Sequence, residues 1–499
     1  MRDAAYQSLL KTRRRQLHAQ IARVLEEGFQ DAVVNDPEIL AHHFTEAGML
    51  EKATDYWLKA GKRALGRSSN AEAVKHLTRG MELTQQLLSS PQRDRKELDF
   101  YLALGPAVAA TEGDAAAETS RVFSRARALL GESVSLEERM TILWGSYLAH
   151  SMRAEYSSAL EDARYGLALA AEHDHPGVAV LATRFIGQSL HLTGAFADAR
   201  EHLDRALALC STNPATISTY RRFGVDDAVN SLAWLSTTLL VLGYPKQSTT
   251  IVERTETLAR TREQSFTTAL ALGNIVVLGT IGGDAKRALA HADEAISLSI
   301  EHEFAAIERR ARFFRGALLA QGGDLQVGIE LMRGALTATY QNSERCRRTL
   351  YLGHLAFAHA QLGELEVGLR LLDEGVQLAE TTGESFFEAE LYRLRGNINL
   401  KLGRRDQAEA ALQRAVAIAR RQQARWWELR ASICLARHWS NEGRYFEAWS
   451  LLEPIYTWFT EGRDTPDLTD AKNLVDELRS VSGMKSVSGM KDEPKRGSC

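Results

Sequence analysis

The side chains that could do chemistry are scattered along this sequence and form no known catalytic motif. The phosphate-binding pattern GxxxxGK[ST], in which backbone N–H groups and a lysine hold phosphates, does not occur. Its nearest approach, Gly282–Lys286 (GGDAK), is better interpreted as a turn between helices. HExxH is also absent, and Ser189 in GQSLH lacks the second glycine of a nucleophile elbow. We therefore predict no catalytic residues, no cofactor and no enzymatic activity.

Two short runs carry side chains that bind metals elsewhere. Glu172–His175 (EHDH) precedes Pro176 and is typical of a solvated loop. His42 and His43 lie beside Phe44 in a predicted helix, where we expect one of them to be a polar spacer in the core. The sequence thus predicts no metal site. The four cysteines lie far apart without CxxC spacing, which fits a reducing cytoplasm; they are Cys210, Cys346, Cys434 and Cys499.

Composition narrows the class of protein further. The 499 residues include 61 Lys+Arg and 64 Asp+Glu, for a net charge of −3, which argues against a nucleic-acid binder. No apolar run reaches the ~18 residues of a membrane span. The basic run Lys11–Arg15 lies among apolar residues at helical spacing, so we interpret it as the solvated face of an amphipathic helix.

A repeat of 40 residues supplies the elements that would position any site. Glycines recur at this interval, with equivalents at Gly194 and Ala154; they are Gly243, Gly283, Gly323, Gly363, Gly403 and Gly443. Small residues recur seven before and five and twelve after the turn, and a larger apolar residue recurs nine after it. These spacings predict a helical hairpin in which the glycine ends the first helix and small residues allow close helix packing. Phe313-Phe314 and Trp426-Trp427 are expected to fill the core between hairpins.

This pattern resembles the tetratricopeptide (TPR) repeat, whose usual period is ~34 residues. HEAT-type repeats match the length but lack the glycine-small-large-small pattern, so they rank second. The resemblance implies an all-α, right-handed solenoid of about ten hairpins over residues 36–463. Stability should then be a sum of neighbouring terms, with graded effects of truncation.

A second resemblance covers both ends of the chain. Residues 2–27 and 40–61, together with 458–478, resemble the TPR tail of bacterial class III adenylate/guanylate cyclases that carry a STAND/AAA-like ATPase module. It implies a helical remnant of that module at 1–35, and a capping helix and flexible tail at 464–499 with the tandem SVSGMK copies. The cyclase and nucleotide-binding core would precede Met1. The implied function is a regulatory, sensor-like interaction scaffold.

Two alternatives stay open. One is a cyclase or ATPase polypeptide whose N-terminal domains are missing from this chain. The other is the TPR tail of a LuxR-type ATP-binding transcriptional regulator, which requires a C-terminal DNA-binding motif that residues 464–499 do not resemble.

Partner binding is expected in the groove lined by the first helix of each hairpin. In the TPR register, groove positions fall about 10, 6 and 2 residues before the turn glycine. In the last two repeats they include Arg393, Asn397, Lys401, Arg437 and Asn441. Arg followed by Asn resembles the carboxylate-clamp TPRs, although Cys434 stands where that clamp has another Asn. Such residues suit an acidic protein or peptide segment; the alternative is that they only solvate the surface.

Overall fold

The computed structural model describes residues 11–29, 35–67, 69–131, 134–212 and 226–482, and all regular secondary structure in these ranges is helical. The helices are α1 Lys11–Gly28, α2 Pro37–Ala47, α3 Leu50–Gly66, α4 Asn70–Thr84, α5 Pro91–Glu112, α6 Ala117–Ala128, α7 Leu136–Met152, α8 Tyr156–Glu172, α9 Pro176–Leu192, α10 Phe196–Thr212, α11 Asp227–Leu242, α12 Pro245–Thr261, α13 Ser265–Ile281, α14 Ala285–Glu301, α15 Ala305–Gln321, α16 Leu325–Gln341, α17 Arg348–Gln361, α18 Leu365–Thr382, α19 Glu388–Lys401, α20 Arg405–Arg421, α21 Arg425–Asn441, α22 Tyr445–Trp458 and α23 Pro466–Ser482. Successive helices pack as antiparallel hairpins, so the prediction of an all-α, TPR-like solenoid is confirmed.

The turn glycines end the first helix of each hairpin in a left-handed conformation. Gly363 follows α17 with φ +91°, as the register requires. One position differs: after α13 the left-handed residue is Gly282, with φ +141°, and not the predicted Gly283. The Gly283 N–H instead bonds to Leu278 O at 2.8 Å, which closes the turn.

A second series of left-handed turns joins one hairpin to the next. These residues also recur every 40 positions and have φ between +52° and +76°; they are Glu263, Glu303, Ser343, Gly383 and Gln423. The sequence concealed this series because only one member is glycine. From α11 onward the chain therefore reverses about every 20 residues.

The predicted alternation of small and large residues matches the contacts within hairpins. A Cβ added at Gly396 would lie 2.5 Å from Cγ of Leu412, and one at Gly187 would lie 2.8 Å from Cγ of Leu203. The larger side chain of the second helix thus occupies the space that glycine leaves on the first. This close approach explains why a small residue seven before the turn accompanies a larger apolar residue nine after it.

The chain divides into two compact units, each described by itself. Unit 1 comprises Met1–Asp174 and Thr339–Cys346, and unit 2 comprises His175–Ala338 and Arg347–Cys499. Unit 1 contains α1–α8, with cores around Phe44 and Phe100. The domain boundaries 35/36 and 463/464 stay predictions. α23 begins at Pro466 and ends at Ser482, so it includes the first three residues of the first SVSGMK copy; the rest of the two copies lies outside the described residues.

Unit 2 contains contacts between hairpins far apart in sequence. The Trp426 indole N–H donates to Ile281 O at 2.8 Å, and the Phe386 N–H donates to Leu192 O at 3.1 Å. The aromatic pairs expected to form core do so: each is at most 1% exposed; they are Phe313-Phe314 and Trp426-Trp427. Because of these contacts, the stability of unit 2 is not only a sum of contributions from single hairpins and their immediate neighbours. Removing hairpins from one end of unit 2 should therefore also weaken hairpins that are distant in sequence.

Candidate functional site

Arg393, the first predicted groove residue, is bound to a carboxylate of its own helix. Its Nε and an Nη donate to Oε1 and Oε2 of Glu390 at 2.7 and 2.8 Å. The two side chains are only 11% and 3% exposed. Arg430 on α21 approaches the same carboxylate at 3.4 Å. Burial alone would raise the pKa of Glu390, but the charges of Arg393 and Arg430 outweigh it and the pKa lies below its ordinary value.

The carboxylate that Arg393 binds is therefore supplied by the protein itself and not by a ligand. Arg393 also lies 3.9 Å from Sγ of Cys434, the position where the clamp has an asparagine. Arg430 donates a further hydrogen bond, at 2.9 Å, to Ile281 O. Glu390 thus supplies the kind of carboxylate that the clamp resemblance predicts in a ligand, and a partner-binding role of Arg393 stays a prediction.

The remaining predicted groove residues are more accessible. Lys401 Nζ contacts two neutral oxygens, Oε1 of Gln361 at 2.7 Å and Ala360 O at 3.3 Å. Arg437 pairs with Asp470 on α23, and the two side chains are 54% and 40% exposed. Lys401, Arg437 and Asn441 are exposed, and Asn397 is half-buried. The geometry separates Arg393, which is internally paired, from an exposed group of Lys401, Arg437 and Asn441.

A small cavity lies deeper on the inner face of unit 2. Leu192, a groove position of an earlier repeat, lines it with Trp234, Asn274, Arg347 and Phe386 among others. The volume open to a water-sized sphere is about 20 Å³, enough for one water and too small for an organic ligand. The inner face of unit 2 is closely packed around this cavity.

Arg347 organises the polar wall of this cavity. The residue has a left-handed backbone, φ +64°, and its guanidinium lies 4.7 Å from the centre of the Trp234 ring. An Nη donates to Oδ1 of Asn274 at 3.2 Å. The Arg347 N–H and the Thr349 N–H donate to the buried Glu384 carboxylate at 2.6 and 3.0 Å, which places a negative charge at the N-terminus of α17.

Two histidines of unit 2 are buried in neutral form. Nδ1 of His191 lies 2.8 Å from Oγ1 of Thr238, a hydroxyl that itself donates to Trp234 O, so His191 is the donor of this pair. Burial, with a smaller effect of Arg347, lowers the pKa of His191 to about 3. His354 packs against Phe387, and burial lowers its pKa to about 4. Neither is exposed enough to be a general base for an external substrate.

The structure places the other sequence candidates as follows. His173 and Asp174 of the EHDH run are exposed, and Asp174 forms a left-handed turn, as expected of a solvated loop. Nδ1 of His43 lies 2.7 Å from Nδ1 of His18, so His43 is a partly buried contact between α1 and α2. Gly282 lies at a turn, as predicted.

The residues whose carboxylates neutralise the cations of the inner face were not predicted from the sequence. Glu390 precedes Arg393 by three positions, a spacing that permits an ion pair on one helix and could have been noticed. Glu384 lies between helices, and its role depends on the Arg347 turn that the sequence does not reveal. A third cluster, Glu409, His438 and Glu442, joins two helices; only the His438–Glu442 spacing of four was visible in the sequence.

Comparison with known proteins supports the fold. No known family model matches the chain. An uncharacterized protein of Rhizobium meliloti (strain 1021) is 24% identical over 428 residues, 85% of this chain and 41% of that protein, so the chain spans less than half of its relative. The structure of a Rap protein complexed with competence and sporulation factor has a TM-score of 0.53 at 13% identity, and the match covers 74% of this chain and 98% of that one. The Cut9–Hcn1 hetero-tetramer of the APC/C has a TM-score of 0.49 at 13% identity, covering 94% and 88%. No helix among the described residues is long and apolar enough to cross a membrane.

Proposed function

We propose that the chain is a protein-interaction scaffold that binds an acidic segment of a partner at the exposed edge of α19 and α21. The observation that carries the proposal is the pair of cations, Lys401 and Arg437, on the first helices of neighbouring hairpins. Lys401 is held by neutral oxygens, and the exposed Arg437–Asp470 pair contributes little to stability. An acidic segment can therefore replace Asp470 at Arg437 with one carboxylate and contact Lys401 with another. The Rap protein, of the same fold, is complexed with competence and sporulation factor, which supports a binding role.

A charge-reversal experiment tests this surface. Arg393 is unsuitable because reversing it would place another carboxylate beside the buried Glu390 and unfold the inner face. Lys401→Glu with Arg437→Glu changes exposed residues only. We expect this double variant to keep the melting temperature and helicity of the wild type while losing partner capture from lysate of the source cells, with salt-sensitive binding in the wild type.

The matched control reverses two exposed cations on the second helices of their hairpins, Lys286→Glu with Arg333→Glu. It makes the same change in net charge and should retain capture. Loss of capture in both double variants would indicate a non-specific charge effect, and retention in both would place the partner elsewhere.

The finer proposal is that the partner is an ATPase or cyclase module and that the chain is its non-catalytic, cytoplasmic sensor. The resemblance of residues 2–27 and 458–478 to such tails supports it. The Rhizobium relative is long enough to include such a module, because more than half of that protein lies outside the matched region. Mass spectrometry of the captured material should identify such a module, and nucleotide turnover by the purified chain above a blank would contradict the non-catalytic part.

A further inference from the structure

We propose that Glu409, His438 and Glu442 form a binding site for a divalent transition-metal ion, with Zn²⁺ the best match. Glu409 lies on α20, His438 lies in the last turn of α21, and Glu442 caps the C-terminus of α21 four residues later. Nε2 of His438 is 3.6 Å from Oε1 of Glu442 and 3.9 Å from Oε2 of Glu409. One ligand atom from each residue lies within 4.8 Å of the others.

The state of His438 points to a ligand independently of the carboxylates. Its side chain is only 5% exposed, and Nε2 has no hydrogen-bond partner among the described residues. A buried polar atom without a partner destabilises a protein, so this nitrogen calls for an explanation. Both carboxylates face it at distances too long for a hydrogen bond. An ion between them would bond all three groups at once.

The distances and ligand types fit zinc. Zinc binds imidazole nitrogen and carboxylate oxygen at about 2.0–2.2 Å, which puts neighbouring ligands of a tetrahedral site ~3.3 Å apart. The two separations from His438 Nε2, 3.6 and 3.9 Å, need to shrink by about 0.3 and 0.6 Å, and the two carboxylates, whose ligand atoms lie within 4.8 Å of each other, must also approach. The Glu409 and Glu442 side chains are 24% and 26% exposed, so solvent can reach the site and water can supply the fourth ligand.

Two neighbours affect the site in opposite ways. The Trp439 indole N–H donates to Oε1 of Glu409 at 2.7 Å and so fixes the orientation of this carboxylate. Arg444 competes with a cation, because its Nη1 lies 3.0 and 3.2 Å from the two Glu409 oxygens. The Arg444 side chain is 35% exposed and can move into solvent. Metal affinity should therefore be limited by Arg444.

The experiment is a calorimetric titration of the full chain with ZnCl₂, with Co²⁺ absorption as a spectroscopic signature of a low-coordinate site. We expect one equivalent of zinc to bind and to raise the melting temperature. His438→Gln and Glu442→Gln should each weaken it at least tenfold. Arg444→Ser should tighten it at least threefold; unchanged affinity in Arg444→Ser would contradict an ion placed beside Glu409. Because Glu442 is partly exposed, Glu442→Gln remains informative even if His438→Gln fails to fold.

The matched control is another His–Glu pair one helical turn apart. Nε2 of His76 lies 3.5 Å from Oε1 of Glu72 in unit 1, but within the part of the chain that the structure describes no third ligand forms a cluster with them. His76→Gln should leave zinc binding unchanged. Absence of zinc binding by the wild type, or an equivalent of zinc that persists in both His438→Gln and Glu442→Gln, overturns the proposal.

Discussion

The Trp426 indole donates a hydrogen bond to the carbonyl of Ile281, 145 residues earlier in the chain. The same ring covers the turn at Gly282, where an added Cβ would lie 2.6 Å from it. Turn glycines of one register consequently have different surroundings. Some lie against a distant hairpin of unit 2, and others face open space, although each of them follows the first helix of its hairpin.

This difference predicts unequal effects of one substitution at equivalent positions. Gly243→Ala should destabilise unit 2 by about 3 kcal/mol or more, because its Cβ would lie 2.6 Å from the Trp458 ring and 2.8 Å from Cβ of Arg425. Gly403→Ala, with nothing within 4 Å, should cost only the ~1–2 kcal/mol of a left-handed alanine. Urea unfolding of the two variants measures the difference, and equal losses would mean that the long-range contact is absent in solution.

The non-glycine turns between hairpins offer a stabilising change. Glu303 is exposed and has φ +60°, so Glu303→Gly should raise the free energy of unfolding by about 0.5–1 kcal/mol through relief of strain. The control, Glu330→Gly, places glycine at an exposed position inside α16 and should lower it by about 1 kcal/mol. Thermal melting compares them; destabilisation by Glu303→Gly would show that this turn is not left-handed.

The buried histidines predict a loss of stability in acid. The pKa of His191 and that of His354 lie at about 3 and 4 in the folded protein, below the ~6.5 of the unfolded chain. As pH falls below 6.5, the unfolded state takes up protons that the folded state does not. The contribution of these two histidines to the free energy of unfolding is therefore fully present above pH 6.5 and is lost as the pH falls toward 4. At pH 5 the loss should be about 2 kcal/mol for each histidine.

Denaturant titrations between pH 5 and 7.5 test this dependence. His191→Gln and His354→Gln should each be less stable at pH 7.5 but lose less on acidification than the wild type. His302→Gln, at an exposed position, should keep the slope of the wild type. An unchanged slope in both buried variants would refute the assignment.

The buried carboxylate of α19 should matter far more than an exposed one. Glu390→Gln leaves the charges of Arg393 and Arg430 without their buried partner and should cost about 3–5 kcal/mol. The control is Glu366→Gln, which removes an ion pair with Arg404 whose side chains are 57% and 42% exposed; it should cost less than about 1 kcal/mol. Chemical denaturation distinguishes them, and similar losses would show that Glu390 is hydrated.

The local sequence pattern predicted the hairpins well, because the turn at Gly363 and the packing of Gly396 against Leu412 depend only on residues of the same hairpin. It predicted the groove less well. Whether Arg393 is free depends on Glu390 and on Arg430, which a contact between hairpins brings to it. The left-handed turn at Glu303 was not visible because no glycine marks it. Ligands of the Glu409–His438–Glu442 cluster come together only when α20 packs on α21.

The long-range hydrogen bonds of unit 2 also determine how it responds to force. An open solenoid lengthens like a soft spring, because each hairpin tilts slightly against the next. In unit 2, Trp426 is bound to Ile281 and Phe386 to Leu192, while Glu461 accepts the Lys246 N–H at 3.0 Å. Tension between α9 and α23 would load these bonds before any hairpin between them could tilt. Unit 2 should therefore be stiff at low force and yield in one abrupt extension.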